Sequence, residues 1–503
     1  MDRLRAFSLA ILFILTPLGA AAVTSVNVPV GSAVYRDIER LELKGLISSA
    51  MLSTKPFSRL ETARLVNEAE KNWQALAPQD KVRLGEAEVT LQRLKNEFRE
   101  ELSGGSGNTY LRPERVYAKF LYSDKTPYFT DINNNGDIFR RGTNLRAGAA
   151  VRGGVFDTVS VYLNPEFRAD GDDSRYRLLY GYMALDAAGA RVEAGRDAMW
   201  WGSGAHGGLL VTDNARPFDM VKASSDHPFR LPWVFGYLGQ LVPTVFLTHL
   251  EKNRDFPHAN LLGMRLDFKP TPHFQIALNR VFMFGGEGRK SLTPSDWVKV
   301  FFVSDSAEHS DSPTNGNQIA SIDASYVYAN TASAVPFSGI KLYTEWGAED
   351  SSGHTKTPTG RANLCGALID GPLWLSNIDL RVEWANTARN SRYGPAWYKH
   401  GVYTSGYTYE GRVIGHHMGS DSRDLFLRLN YHMPSSVIGI EADRERSGIH
   451  SAKVVRRDWL AVDASYGFED GMSVSGVLGI ESVKDNAAKN RNGTAMVKLE
   501  YLF

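Results

Sequence analysis

One stretch, GRDAMWWGSGAHGGLLVTDNARPFDMV over residues 195–221, concentrates the side chains best suited to grip a polar ligand with flat faces. Trp200 and Trp201 offer stacking surfaces, Arg196 and Arg216 offer planar hydrogen-bonding forks, and His206 and Asn214 add shorter polar groups. Gly202, Gly204, Gly207 and Gly208 allow unusual backbone angles and close approach. A sugar fits that chemistry; so does a wide turn between two strands that carries interfacial tryptophans. Glu287 and Arg289 place a carboxylate and a guanidinium on glycine-bent backbone, for a ligand or as an internal pair. Tyr403, Tyr407 and Tyr409 would share one strand face, to stack on sugar rings or to sit in an interfacial girdle. Arg412, Asp421 and Arg423 complete the set, bracketing a sugar or forming a charge ladder in which each charge finds a partner.

Catalysis has weaker support. Ser203, His206 and Asp213 are near neighbours in sequence, but spacing alone does not make a nucleophile, base and orienter converge. No G-x-S-x-G elbow, H-E-x-x-H, phosphate-binding loop or dinucleotide glycine pattern is present, so a non-enzymatic protein without a cofactor is expected. Asp131 to Asp137 imitates the start of a calcium loop, yet Gly142 stands where the closing glutamate belongs, which favours a polar turn and no metal. The single cysteine, Cys365, excludes an internal disulfide and reads as a small packed hydrophobe.

The elements that must position these residues follow from period. Arg3 and Arg5, the apolar run from Ala6 to Leu18 and the small residues Ala20 to Ala22 read as a signal peptide over 1–22, cleaved near Ala22. Residues 23–107 read as a helical appendage ending in a glycine-serine hinge: Tyr35, Ile38 and Leu41 repeat at helical spacing, and Ser58 followed by Glu61 is a capping box. From 108 to 503 the period drops to two, as in Val116 to Tyr122 and Ile378 to Trp384, with turn residues between segments. The last strand puts Val497, Leu499, Tyr501 and Phe503 on one face and Lys498 and Glu500 on the other. A strand ending on Phe503 resembles the C-terminal strand of bacterial outer-membrane barrels, which the barrel-assembly machinery is expected to read. Only closed barrels satisfy strand backbones in lipid, so the expectation is a mainly β protein, an antiparallel transmembrane barrel of about 18 strands with an N-terminal periplasmic α-helical bundle. With 57 Lys+Arg against 56 Asp+Glu, nothing suggests nucleic acid. A closed ring has no free edge, which favours a monomer.

Several segments together resemble the Wzi capsule assembly family. They are Asp37 to Ile47, Gly195-Arg196 with Trp200-Trp201-Gly202 and Asn214 to Pro217, Phe284 to Arg289, Asn317-Gln318, Glu345 to Asp350, Tyr403 to His416, and Asp421-Ser422-Arg423. They occur in the family's order over nearly the whole mature chain, whereas 305–317 and 435–455 depart from its pattern. The resemblance implies a lectin-like outer-membrane barrel that binds capsular or exopolysaccharide and helps attach it at the cell surface. The competing expectation is an outer-membrane porin or channel for small solutes; an open lumen would separate the two.

Overall fold

The computed structural model describes residues 24–104, 109–171, 173–302, 312–330, 335–352, 357–389, 397–485 and 488–503. The signal peptide expected over 1–22 lies outside them. Eighteen antiparallel strands close into one barrel. In chain order they are β1 Thr109–Ser123, β2 Gly142–Val155, β3 Val159–Asp170, β4 Asp173–Ala187, β5 Ala190–Asp197, β6 Phe218–Ser225, β7 Gln240–His249, β8 Asn260–Thr271 and β9 Phe274–Phe284. Then follow β10 Asn317–Ala329, β11 Gly339–Ser352, β12 Thr357–Asp370, β13 Ile378–Arg389, β14 Ser422–His432, β15 Ser436–Ser447, β16 Val455–Gly467, β17 Met472–Lys484 and β18 Lys489–Leu502. Closure is made by β18 against β1, from Arg115 opposite Leu502 to Ser123 opposite Thr494.

The period-two pattern sorts side chains between two environments. Phe120, Leu278, Ile322, Leu342, Leu460 and Val497 point outward and are exposed, whereas Arg146, Arg265, Asp267, Asp323 and Glu345 point inward and are buried. An apolar outer wall around a charged interior inverts a soluble protein and matches a wall that faces lipid. Trp233, Trp374 and Phe503 add exposed aromatic rings at one end of the wall. No helix of the described residues is long and apolar enough to cross a membrane. Cys365 departs from its expected packing: its strand position faces outward, and it is exposed.

Before the barrel come α1 Val34–Leu43, α2 Arg59–Ala75, α3 Pro78–Arg83, α4 Gly85–Glu97 and α5 Arg99–Leu102. The N-cap half of the capping box forms, with the Glu61 amide donating to Ser58 Oγ at 3.0 Å, while the Glu61 carboxylate accepts from Arg64 at 2.7 Å. Ile38, Leu41, Leu65, Val66, Leu91 and Leu94 join a core between these helices. Helix α1 is tied to the barrel by charge: Lys44 Nζ lies 2.6 Å and Arg40 Nε 3.1 Å from Asp370, Lys341 is 3.0 Å from Glu39, and Lys269 is 2.7 Å from Glu42. These buried pairs put α1 across one end of the barrel, here the helix end. The long connections lie at the opposite, loop end.

Candidate functional site

Two loop-end connections turn into the lumen: loop 3 (198–217) and loop 7 (397–421). Leu209, Leu210 and Val211 at the tip of loop 3 are fully buried, in one cluster with Trp201, Trp397, Tyr398, Tyr403, Tyr407 and Ile414 and with inward strand residues such as Phe246, Val281 and Leu364. An apolar core therefore fills part of the interior where a porin would carry a water-filled polar channel. From the helix end, Thr54-Lys55 pairs in antiparallel register with Trp200-Trp201. The N-terminal segment and loop 3 thus meet inside the barrel.

Loop 3 reaches this position because its polar backbone finds partners there, as a buried chain must. Glu383 accepts from the Ala205 and His206 amides at 2.7 and 3.1 Å, and Glu345 accepts from the Leu209 amide at 2.9 Å. The glycines serve this packing: a Cβ on Gly207 would fall 2.3 Å from the His416 ring, and Gly202, at φ +113°, faces Glu345. Loop 1 (124–141) lies across the top. Asn133 Nδ2 donates to the His206 carbonyl at 2.7 Å, the Asn135 amide to the Asp213 carbonyl at 2.7 Å, and Arg412 Nη2 to the Asp131 carbonyl. Burial pushes the carboxyls of Asp131 and Asp213 up to about 7.

Against this geometry the sequence candidates separate. Trp200 and Trp201 are buried, Trp200 donating its indole N–H to the Gly204 carbonyl at 3.0 Å and Trp201 packing edge-on against Phe246. Tyr403, Tyr407 and Tyr409 lie in loop 7 inside the core, forming neither an exposed stacking face nor an interfacial girdle; Tyr403 and Tyr407 donate to the carbonyls of Gly285 and Leu210, both at 3.0 Å. Asn214 is buried and donates to the Val413 carbonyl at 2.9 Å. Asp421 is buried and accepts from His450 Nδ1 at 2.7 Å. Arg196 sits on the outer wall, its Nε 2.8 Å from Asp219, and Arg423 is exposed on the outer wall of β14. Glu287 and Arg289 are not paired with each other: Glu287 is exposed near His258, and Arg289 donates to the carbonyls of Ser312 and Asn315 at 2.7 and 2.9 Å.

What reaches solvent at the loop-end mouth is a polar rim. Arg216 Nη1 stands 3.4 Å from Glu410 with both side chains partly exposed, and Glu287, near the start of loop 5 (which begins at Gly285), stands 3.7 Å from His258 of loop 4 (250–259). Guanidinium and carboxylate groups held on interlocked loops can bond sugar hydroxyls and carboxylates from a fixed frame.

Ser203, His206 and Asp213 do not assemble as a triad. No hydrogen bond joins His206 to either, and Ser203 Oγ has no partner. The calcium-like loop is a turn: Asp131 accepts from the Phe139 amide at 3.0 Å, and Asp137 is paired with Arg146 at 2.8 Å. The fold does gather a set of ligand-type side chains that sequence spacing concealed. His206, His417, Asp424 and Asp443 are all buried and present ligand-type atoms within 4.8 Å of one another. They come from two loops and two strands, so no motif announces them.

Comparison with known proteins gives a family match over residues 123–496 to "Capsule assembly protein Wzi". A Klebsiella pneumoniae protein described as an uncharacterised 55.8 kDa protein in the cps region is 25% identical over 347 residues. That alignment covers 68% of this chain and 62% of the relative's own length. The solved structure of Escherichia coli Wzi, an outer-membrane carbohydrate-binding β-barrel involved in group 1 capsule assembly, superposes with a TM-score of 0.70 at 17% identity. It covers 96% of this chain and 100% of that one.

Proposed function

This chain belongs to the Wzi capsule assembly protein family, and from that premise we propose that it is a non-enzymatic outer-membrane protein that binds capsular or exopolysaccharide at the cell surface and helps assemble or anchor it. The observation that carries this reading is the filled barrel: loops 1, 3 and 7 interlock over an apolar luminal core and, together with loop 5, present Arg216, Glu410 and Glu287 outward. The helical segment faces the periplasm and the loop end faces the medium. The rim binds polymer through charge-assisted hydrogen bonds, while the buried tryptophans and tyrosines shape the rim from beneath. The closed ring leaves no strand edge to recruit a second copy.

The test is surface retention of polymer in a deletion strain, with cell-bound and shed polymer measured separately. Wild type restores retention. Arg216→Ala combined with Glu287→Ala, whose side chains both reach solvent at the rim, lowers cell-bound polymer roughly tenfold at unchanged barrel abundance, the loss expected from one or two hydrogen bonds to charged groups. Full retention by that variant overturns the assignment of the rim.

A further inference from the structure

We propose that His206, His417, Asp424 and Asp443 form a transition-metal site of zinc's class that staples both inward loops to the barrel wall. His206 comes from loop 3, His417 from loop 7, Asp424 from β14 and Asp443 from β15. Asp424 Oδ2 lies 3.7 Å from the Nε2 atoms of both histidines, and His206 Nε2 contacts Asp443 Oδ2. Four ligands at zinc's bond lengths sit about 3.3–3.6 Å apart around a tetrahedron, so shifts on the order of an ångström, within reach of side-chain rotation, convert this cluster into a coordination shell. An ordinary His–Asp pair accounts for one contact only. Both ring nitrogens of His417, Oδ1 of Asp424 and Oδ1 of Asp443 have no hydrogen-bond partner, and the His417 side chain is 1% exposed. The nearest other carboxylate, Glu445, is already paired with Arg457 at 2.6 Å. Two buried carboxyl groups and two imidazoles converging on one point call for a cation, and the mixed nitrogen and oxygen donors suit zinc better than magnesium or calcium. Phe426, stacked on the His206 ring at 3.9 Å, holds that ligand's orientation from behind.

The full chain, purified in detergent without chelator or histidine tag, is dialysed against micromolar zinc and its metal content measured. About one zinc per chain is expected, with cobalt giving the visible bands of a tetrahedral site. His417→Gln and Asp443→Asn each lose the metal, while His258→Gln at the rim keeps it. Chelation of the wild type lowers its thermal midpoint, a readout that stands even where a variant fails to fold. Substoichiometric metal in the wild type, no response to chelation, or equal retention by a folded His417→Gln overturns the site.

A different observation, the register of the outer wall, points to a lipid site; it rests on the reading of this barrel as membrane-spanning. At the loop end, Arg423, Arg446, Arg456, Lys484 and Lys489 stand directly opposite one another across β14 to β18. One rung nearer the barrel middle come Arg444 and Arg491, with Asp458 between them as the one acid, bonded to Arg444 at 2.7 Å and to Arg456 at 2.8 Å. Like charges opposed in register repel, and a row of them persists where an anion lies between. The next rung carries Leu427, Leu460 and Ile480, and a groove opens there against Tyr122, Leu478 and Ala495, with Asp124, which accepts from the Gly493 amide, as the one carboxylate in its lining. Cations above an apolar groove fit one occupant, a phosphorylated glycolipid of the outer leaflet, with its phosphates on the row and an acyl chain in the groove.

Native mass spectrometry of the detergent-purified chain with diphosphoryl lipid A tests this. About one lipid stays bound to wild type and to Arg140→Gln, and binding falls roughly tenfold or more in Arg446→Gln/Arg456→Gln. Equal binding by the double variant overturns the site. So does inorganic pyrophosphate binding as tightly as the lipid, or polygalacturonate binding to the row in place of it.

Discussion

Trp201→Ala is expected to destabilise the folded barrel by about 3–5 kcal/mol, the range for emptying a large aromatic site in a packed core. Trp201 is 1% exposed and touches both halves of the luminal packing: its ring meets Phe246 on β7, and its backbone pairs with Thr54 of the N-terminal segment and with Val211 of its own loop. Neither side can collapse into the void, because the wall is held by its strand ladders and the N-terminal segment by its ion pairs. Denaturant titration in detergent, followed by the gel-mobility shift of folded barrels, measures the loss. A larger lesion tests what the packing does: replacing 202–211 with a short glycine-serine bridge removes the buried tip Leu209-Leu210-Val211. The intact chain is expected to show no steady conductance in a planar bilayer, and the bridged chain to show one. A large steady conductance from the intact chain would sink the occluded-barrel reading and favour a channel for small solutes.

The second large effect is expected at Arg265. Its guanidinium is fully buried, with Nη1 2.7 Å from Asp323 and Nη2 3.3 Å from Asp267 and 2.6 Å from Ser53 Oγ, so it joins two wall strands to the N-terminal segment. Arg265→Met keeps most of the volume and leaves two carboxylates without their cation; removing one partner of a buried pair costs about 3–5 kcal/mol. Adding Asp267→Asn and Asp323→Asn is expected to recover part of that loss, because the penalty lies in the stranded charges and not in the missing bond. A triple variant as unstable as Arg265→Met alone would place the cost in packing instead.

The two effects belong to different layers of one plug. Charge holds α1 and the Ser53-Thr54 segment at the helix end; apolar packing holds loops 3 and 7 at the loop end. Trp201 lies where the layers meet, which is why a tryptophan that looked like a sugar platform acts as a keystone beneath the rim.

The chain's own order of residues determined the wall. Side chains alternate with a period of two along any strand, so the switch from helical spacing to alternation, the polar and apolar faces of Lys498 to Phe503 and the capping box at Ser58 are local features that survive without any knowledge of partners. They sufficed for a barrel of about 18 strands behind a helical segment, and the ordered family segments sufficed for membership of the Wzi family. The interior was another matter. Glycine and tryptophan at 200–208 signal close approach without saying to what, and only tertiary contacts with Glu345, Glu383 and His416 turned loop 3 inward. His206 and Asp443 meet across 237 positions of sequence, and the five cations of the outer wall form a row only once strand register is fixed. Which way a loop folds, and which residues stand opposite each other, depend on pairings between distant segments, and a one-residue slip in any of them would send every side chain to the other face.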